Sequence, residues 1–434
     1  MRFSSNSFSV NPDAIVMFID MNSFFASCEQ QLRPELRGRP IGVAAYDSPN
    51  AAVIAPSIEA KRFGVKTGMR VNECRQLCPH MIVAATRPHY YRQFHVMIMG
   101  VLNRYCDDVM PKSIDEAVMN LTSYRLVYKD LEALAKQIKA DINAEADYLK
   151  CSIGIAPNSF LAKVATDMQK PDGLTIINRE NIDAQLAKLK LTDLPGIAER
   201  NARRLQLMGI RTPLEMRHAS QAFLRKVFGG VVGNYWHARL NFGEVDLYKN
   251  DYRTMSTMRT VSRQQRESRQ SLESLLISLC MKLEQRLVKQ KVFCKEASFF
   301  IKYLDHTGWD THIRFANPLQ DGMELRNYIL DKVHEFERQH NVGTMFSNKV
   351  RSMGVAIQNF MNDQVLQYSL FDDRIRHDHL RKVVYSIKDR YGKNIVRKAS
   401  ELFEPTVMKD AIGFGSVADM YNGEHFNQYT IEED

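Results

Sequence analysis

The stretch MFIDMNSFFASCEQ, residues 17–30, constrains the fold more than any other part of the chain. Its first residues are apolar and suit a buried strand, and the hydrophobic period changes from that of a strand to that of a helix just after Asp20. Asp20 is therefore predicted at the end of a strand that leads into a helix. A carboxylate in this place is either a helix cap or part of a site that carries chemistry.

Composition narrows the class of protein. With 434 residues, 44% hydrophobic and 25% charged, the chain predicts a globular protein of two to four domains. No apolar run approaches the roughly 20 residues of a membrane span, so we expect a soluble protein without a membrane partner. The N-terminal sequence lacks the apolar block of a secretory signal, which favours the cytoplasm. The net charge of +9 favours a polyanionic partner.

Strand and helix patterns alternate over the first 180 residues, and a mainly helical segment follows. A polar, poorly periodic stretch at 241–251 predicts a linker, and a new domain is predicted to begin near Arg253. In that domain the periodicity predicts helices over 271–290 and 322–339. Strands are predicted at 296–304, 311–317 and 350–360, and a charged, helix-prone tail follows from about Met361.

Two further acids lie inside a short strand-like run, as Asp115 and Glu116 in the segment KSIDEAVMNL. Strands of one sheet can bring them to Asp20, and carboxylates that meet in this way need cations to neutralise them. Oxygen ligands favour Mg²⁺, with Mn²⁺ as the alternative. Taken singly, Asp20 also suits a helix N-cap, and the Asp115–Glu116 pair also suits a turn.

Five separated motifs resemble those of a Y-family DNA polymerase, the translesion class. In chain order they are FIDMNSFFASCEQ, IEAKRFGVKTGM, SIDEA, IGIAPNSFLAKVATDMQKPDG and LPGIAERNARRLQLMGI. The resemblance covers roughly residues 13–362 and is closest to the bacterial UV-mutagenesis branch. It implies a multidomain α+β fold shaped like a right hand. The implied parts are a palm of mixed sheet and helices (12–30 and 78–177), small fingers (31–77), a helical thumb with a helix-hairpin-helix (178–245), a linker (246–254), an α/β little finger (255–362) and a C-terminal tail (363–434).

The resemblance also implies roles at the active site. Asp20, Asp115 and Glu116 match the family's metal-binding acids, and the backbone carbonyl of Met21 matches a further ligand, which implies two Mg²⁺ ions. Phe25 matches the aromatic gate whose ring clashes with a ribose 2′-hydroxyl. A buried core aromatic is the other interpretation of Phe25.

Three cations match the family's contacts with the incoming deoxynucleotide triphosphate: Lys61, Arg62 and Lys170. The chain departs from the common pattern here, with Ile58 where many members have Tyr and Lys61 where many have Arg. A point charge thus replaces a bidentate fork, which lowers the expected affinity for nucleotide but leaves the reaction type unchanged.

Other matches concern DNA and a partner protein. Gly196 lies in the helix-hairpin-helix segment, whose backbone N–H groups hold a phosphate of primer–template DNA. Four arginines without an intervening acid suggest a strand along a phosphate backbone, or else a solvated edge strand; they are Arg253, Arg259, Arg263 and Arg266. In the tail, Gln367, Leu370 and Phe371 match the peptide with which bacterial polymerases bind the sliding clamp.

These observations predict a low-fidelity, template-directed DNA polymerase for translesion synthesis and DNA repair in the SOS response. We expect a monomer in the bacterial cytoplasm, associated with the nucleoid. No segment matches a proofreading exonuclease, so nucleotide selection has one step, worth roughly 10- to 200-fold discrimination. One alternative function is a non-catalytic clamp-binding scaffold with the same fold, but such a protein would not need the three acids. A second alternative is a nucleotidyl cyclase, which would not need the helix-hairpin-helix.

Overall fold

A computed structural model describes residues 8, 10–247, 253–362, 374–392 and 395–396. The chain divides into two compact units between residues 249 and 250, and each mixes helices with sheet, which confirms the α+β class. In the described part, no helix is long and apolar enough to cross a membrane. The finer division into palm, fingers, thumb and little finger boundaries stays a prediction.

The strands of the first unit form two sheets. A sheet of five strands has the order β5-β6-β1-β7-β8, and a sheet of three has the order β3-β2-β4. The strands are β1 (Val16–Met21), β2 (Ile41–Ala44), β3 (Val53–Pro56), β4 (Ile82–Ala85), β5 (Val109–Pro111), β6 (Glu116–Asn120), β7 (Cys151–Ala156) and β8 (Leu174–Ile176).

Helices cover these sheets and fill the segment before the second unit. They are α1 (Phe24–Leu32), α2 (Ile58–Arg62), α3 (Val71–Leu77), α4 (Pro88–Leu102), α5 (Leu131–Glu145), α6 (Ser159–Met168), α7 (Ile182–Leu186), α8 (Glu199–Leu207), α9 (Pro213–His218), α10 (Gln221–Phe228) and α11 (Val231–Leu240). Apolar side chains of α6 and of the helices from α7 onward join β1 and β6 in one core cluster.

The strand β1 lies at the centre of the five-stranded sheet, antiparallel to both β6 and β7, and all of its residues are buried. Its register places Asp20 opposite Glu116 on one side and Ser152 on the other. The helix α6 packs closely on this sheet at Gly154, where an added Cβ would lie 2.1 Å from the carbonyl oxygen of Ala162. A residue without a side chain is therefore needed for α6 to approach the sheet this closely.

The second unit has a four-stranded antiparallel sheet covered by helices. Its strands, in the order β11-β10-β12-β9, are β9 (Thr254–Thr260), β10 (Val292–Tyr303), β11 (Gly308–Leu319) and β12 (Val350–Asn362). Its helices are α12 (Arg269–Lys289), α13 (Gly322–Gln339) and α14 (Arg374–Tyr391). Apolar residues of α12, α13 and the sheet form one core. The predicted helix over 322–339 is thereby confirmed.

The helix α14 docks on this unit through polar groups. The buried guanidinium of Arg381 donates to Asp378 at 2.6 Å and to Asp321 at 3.0 Å. The Tyr385 hydroxyl donates to Glu284 at 3.1 Å. The tail that the sequence predicts as helix-prone therefore contains a helix that is anchored to the second unit by buried, paired charges.

Candidate active site

One cavity of about 760 Å³ in the first unit collects the predicted metal ligands and nucleotide contacts. Its lining includes Asp20, Met21, Phe25, Lys61, Arg62, Asp115, Glu116 and Lys170. Lys170 and Asp20 are 150 positions apart in the chain, yet their side chains are 2.7 Å apart. The fold thus brings together residues that the sequence presents in separate motifs.

The ends of two adjacent strands place the carboxylates. Asp20 lies near the end of β1, and its register partner Glu116 begins β6. Asp115 precedes Glu116, and its backbone carbonyl accepts a hydrogen bond from the Met21 N–H at 2.9 Å. The Ser113 hydroxyl donates to the Asp115 carboxylate. Because β1 and β6 are hydrogen-bonded neighbours, the three acids lie at the same end of these two strands and line the same cavity.

Burial and neighbouring charges act differently on the three acids. Burial raises the pKa of Asp115, and the nearby Asp20 raises it further. Burial also raises the pKa of Glu116, and Lys163 opposes that shift only in part. For Asp20 burial acts in the same direction, but Lys163 and Lys170 together outweigh it and lower its pKa. Asp20 is therefore the most firmly ionised of the three.

Lys163 and Asp167 belong to this site, although the sequence analysis did not single them out. The Lys163 ammonium contacts Asp20 and lies 2.7 Å from Glu116 and 3.3 Å from Asp167. Asp167 also pairs with Lys170 at 2.7 Å. The sequence carries a signal only for the pair of Lys163 and Asp167, which lie four residues apart on α6, because Lys170 lies beyond the end of that helix.

The donor set fits hard divalent cations. Carboxylate oxygens of Asp20, Asp115 and Glu116 and the carbonyl of Met21 are the oxygen ligands that Mg²⁺ and Mn²⁺ prefer. Among the described residues, no three His, Cys, Asp or Glu side chains are gathered closely enough to hold a metal ion. The ammonium of Lys163 instead lies between Asp20 and Glu116.

The short helix α2 presents the predicted triphosphate contacts. The Ser57 hydroxyl caps this helix by accepting a hydrogen bond from the Ala60 N–H at 3.2 Å. Lys61 and Arg62 form its last turn and line the cavity together with Ile58. Burial lowers the pKa of Lys61, and the positive charge of Lys170 lowers it further. Two lysines from distant segments therefore face the same space, as a polyphosphate would require.

Phe25 is both buried and part of the cavity lining. It lies on α1 and its ring stacks on Tyr91, with centroids 4.7 Å apart and planes at 24°. The Tyr91 hydroxyl donates to the fully buried Glu29 at 2.7 Å, and Arg87 pairs with the same carboxylate at 2.8 Å. The phenyl ring is thus supported from behind by an aromatic ring that a buried ion pair holds in place.

A second cavity, of about 670 Å³, lies beside the first and shares Glu116 with it. Gly196, Arg204, Lys163 and Trp236 are among its lining residues. Gly196 has a φ of +92° in the turn before α8, a conformation that favours glycine. The predicted helix-hairpin-helix turn therefore lines a cavity that also contains Glu116.

The prediction that four arginines lie along one strand is wrong. Only Arg259 lies in β9, which ends at Thr260, and Arg253 precedes the strand. Arg263 and Arg266 follow it in a turn, where the Arg266 N–H donates to the Ser262 carbonyl at 3.3 Å. The strand is followed by a turn in which the Gln265 N–H donates to the Ser262 hydroxyl at 3.2 Å. Contact of these arginines with DNA stays a prediction, and Gln367, Leu370 and Phe371 lie outside the described residues.

Comparisons with known proteins agree with this site. The model of the impB/mucB/samB family matches residues 19–167, and the model of that family's C-terminal domain matches residues 253–370. DNA polymerase IV of Desulfotalea psychrophila is 30% identical over 303 residues, which cover 70% of this chain and 80% of the relative. The chain belongs to the Y family of DNA polymerases. DNA polymerase IV of Pelotomaculum thermopropionicum is 29% identical over 405 residues, 92% of this chain and 98% of that protein.

Solved structures of Y-family polymerases share the fold. A Y-family DNA polymerase chimera of Dbh and Dpo4 superposes with a TM-score of 0.67 at 25% identity, over 80% of this chain and 99% of that one. A Dbh ternary complex has a TM-score of 0.54 at 25% identity and the same coverage. The protein is therefore a DNA-directed DNA polymerase with the right-hand fold of the Y family, as the sequence predicts. Its place in the UV-mutagenesis branch stays a prediction.

Proposed function

We propose that this Y-family polymerase performs low-fidelity translesion synthesis, by attack of a primer 3′-hydroxyl on the α-phosphate of a deoxynucleotide and without proofreading. The observation that carries the proposal is the single cavity in which oxygen donors, cations and an aromatic ring meet. A phosphoryl transfer needs ligands for cations and positive charge for the triphosphate. A wall beside the sugar adds selection of deoxynucleotides over ribonucleotides.

The residues divide this work by position. Asp20, Asp115, Glu116 and the Met21 carbonyl would hold two divalent cations, Mg²⁺ or Mn²⁺. When bound, such cations activate the attacking hydroxyl and neutralise charge on the leaving pyrophosphate. Lys163 and Lys170 lower the pKa of Asp20 and so keep its carboxylate ionised, which makes Asp20 the main negatively charged ligand among these residues.

Lys61, Arg62 and Lys170 would bind and orient the triphosphate. Positive charge that is already in place costs no reorganisation when negative charge develops on the leaving group. The lowered pKa of Lys61 reflects burial and the repulsion from Lys170, and an anionic phosphate between the two lysines relieves that repulsion. Phe25 would exclude a ribonucleotide, because its ring is backed by Tyr91 and cannot retreat from a 2′-hydroxyl.

The second cavity would take the end of the primer. It shares Glu116 with the nucleotide cavity, so a 3′-hydroxyl in the one faces an α-phosphate in the other across a proposed metal ligand. The turn at Gly196 would hold a DNA phosphate through backbone N–H groups at the start of a helix. Dbh has been solved in a ternary complex with its substrates, and a primer–template and deoxynucleotide are the substrates that we propose here.

Other parts of the proposal concern the surroundings of the enzyme. We propose that it acts as a monomer in the bacterial cytoplasm, near the nucleoid. The peptide with Gln367, Leu370 and Phe371 would bind a sliding clamp and so keep the enzyme at the primer end.

The test is primer extension by the full chain, comparing the wild type with an Asp115→Asn, Glu116→Gln double variant. Both substitutions keep the shape of the side chain and remove the charge that would bind cations. We expect extension to fall by at least ~10³-fold, since removal of one charge-stabilising group alone typically costs 10²–10³-fold. An Asp141→Asn variant is the control, because Asp141 of α5 accepts a hydrogen bond from the Tyr105 hydroxyl at 2.6 Å and lines neither cavity.

Two outcomes would count against the proposal. Extension that survives in the double variant would show that the acids do not carry the reaction. Equal binding of primer–template by both proteins without extension by either would favour the clamp-binding scaffold. Extension past a damaged template base would support the translesion part of the proposal. A misincorporation frequency above about one in 200, even for the mispairs that form least often, would support the low-fidelity part.

A further inference from the structure

The side chain of Lys163 holds the position between two of the proposed metal ligands. It extends from α6, contacts Asp20 and lies 2.7 Å from Glu116. Only 19% of the side chain is exposed, and Asp20 is exposed by 10%. An ion pair with so little access to water is screened weakly, so the lysine occupies the oxygen atoms of Asp20 and Glu116 firmly.

The packing of α6 fixes where this lysine can reach. The Asn158 side chain caps the helix by accepting from the Leu161 N–H at 2.8 Å, and Gly154 lets the helix lie close to the sheet. The Thr166 hydroxyl lies 2.8 Å from the Ala162 carbonyl of its own helix and 3.2 Å from the Phe18 carbonyl of β1, so it contacts both elements. The backbone of α6 is thus held against β1, and only the flexible stem of Lys163 is left to move.

Asp167 offers Lys163 a second partner. It lies one turn further along α6, with its carboxylate 3.3 Å from the Lys163 ammonium. A lysine stem has several rotatable bonds, so the ammonium can move from the acids of the sheet to Asp167 without any change of the backbone. The site therefore has two places for one positive charge.

We propose that Lys163 is an internal counter-ion that competes with divalent cations for Asp20 and Glu116, and that it moves onto Asp167 when they bind. This inference rests on the proposed metal site. Without bound cations the lysine neutralises acids that would otherwise repel one another in a buried place. The cost is a weaker affinity for metal, because each cation must first displace the ammonium.

Lys170 differs from Lys163 in its surroundings. It lines the proposed nucleotide cavity and already divides its charge between Asp20 and Asp167, at 2.7 Å from each. Lys163 instead lines the neighbouring cavity and bridges two proposed ligands. We therefore expect Lys163 to affect the affinity for divalent cations even when no nucleotide is present.

The experiment measures Mn²⁺ binding to the full chain from the paramagnetic resonance signal of free Mn²⁺, without nucleotide or DNA. In the Lys163→Met variant the stem is kept and the competing charge is lost, so Mn²⁺ should bind about tenfold more tightly, the equivalent of about 1.4 kcal/mol. Lys61→Met is the matched control, since it removes the same charge from the lining of the first cavity. This control variant should tighten Mn²⁺ binding by no more than about twofold, because it only removes the long-range repulsion of one positive charge.

A second variant keeps the inference testable if Lys163→Met folds poorly. Asp167→Asn leaves the lysine in place but removes its alternative partner, so Mn²⁺ binding should weaken by about threefold, within the range for partly exposed charge pairs. In the double variant Lys163→Met, Asp167→Asn, that threefold loss should disappear, because the effect of Asp167 acts through Lys163.

The inference is overturned if Lys163→Met and Lys61→Met change Mn²⁺ binding equally, or if the effect of Asp167→Asn persists in the double variant. Failure of the proposed metal site has a different signature. In that case the wild type and the Asp115→Asn, Glu116→Gln variant would bind Mn²⁺ alike. Melting temperatures in EDTA and in Mn²⁺ add an independent reading: Lys163→Met should be less stable than the wild type in EDTA and recover in Mn²⁺.

Discussion

Glu29 offers the sharpest test of how the aromatic gate is supported. Its carboxylate is fully buried and accepts hydrogen bonds from Arg33 at 2.6 Å, from Arg87 at 2.8 Å and from Tyr91 at 2.7 Å. In Glu29→Gln the shape is kept, but the charge and one acceptor oxygen are lost. We expect the first unit to lose stability and the ring of Tyr91, on which Phe25 stacks, to lose its anchor.

The expected magnitude follows from the partners. A hydrogen bond to a charged group contributes about 1.5–3 kcal/mol, and removal of one partner of a buried pair costs about 3–5 kcal/mol. The side chains of Arg33 and Arg87 are 37% and 35% exposed, so water can take over part of their pairing. We therefore expect a loss of about 3 kcal/mol for Glu29→Gln. Tyr91→Phe loses only one hydrogen bond to this carboxylate and should cost about 1.5 kcal/mol, the lower end of that range.

The assay is urea unfolding followed by tryptophan fluorescence. The chain has two tryptophans, Trp236 in the first unit and Trp309 in the second. A Trp309→Phe background leaves Trp236 as the reporter of the first unit, which avoids mixing two transitions. The variants Glu29→Gln and Tyr91→Phe are then compared in that background from their midpoints and slopes.

Two results would refute this reasoning. A Glu29→Gln midpoint that corresponds to less than about 1 kcal/mol of lost stability would mean that solvent screens the buried carboxylate after all. A cost for Tyr91→Phe as large as that for Glu29→Gln would mean that the hydroxyl, and not the paired charge, holds the cluster together.

Three further predictions concern packing, pH and sugar selection. Gly154→Ala should cost ~3 kcal/mol or more, because the new Cβ would meet backbone atoms of α6; Gly100→Ala, in an open part of α4, should be neutral or slightly stabilising in the same denaturation assay. Burial lowers the pKa of His95 to about 4. Since the unfolded chain takes up this proton near pH 6.5, the wild type should lose up to about 3 kcal/mol between pH 6.5 and 4, and a His95→Gln variant should show a flatter profile of unfolding free energy against pH; an unchanged profile would contradict this. Phe25→Ala should raise ribonucleotide incorporation by about 10- to 200-fold relative to deoxynucleotide in primer extension, and Tyr91→Phe, which keeps both rings, should not.

Local sequence patterns predicted the elements near the carboxylates because those elements obey simple periods. The residues before Asp20 form a buried strand and those after it a helix, and the predicted helix over 322–339 has the same bounds in the structure. The prediction that one strand carries the four arginines was wrong because an alternation of exposed residues does not distinguish a strand from the turn that follows it. β12 continues to Val350, beyond the partner of Thr260, so β9 ends because the chain enters the turn that begins at Ser262.

The candidate site was predictable where a motif fixes the residue, as for Asp115 and Glu116, and much less so where tertiary packing does. Lys163 looks like an ordinary exposed lysine of an amphipathic helix, and its role depends on how closely α6 approaches the sheet at Gly154. The stacking of Tyr91 on Phe25 likewise joins two helices that are far apart in the chain. Such contacts arise from the fold as a whole, so no local spacing announces them.

The anchoring of α14 limits how far a partner could pull the enzyme. The strand β12 ends at Asn362 and α14 begins at Arg374, and both are fixed to the second unit. Residues 363–373 between them span at most about 40 Å even when fully extended. The predicted clamp peptide lies in this stretch of the sequence, so a clamp bound to it would be linked to the second unit on both sides of the peptide. The distance between such a clamp and the second unit is then limited for as long as the buried pairing of Arg381 holds α14 in place.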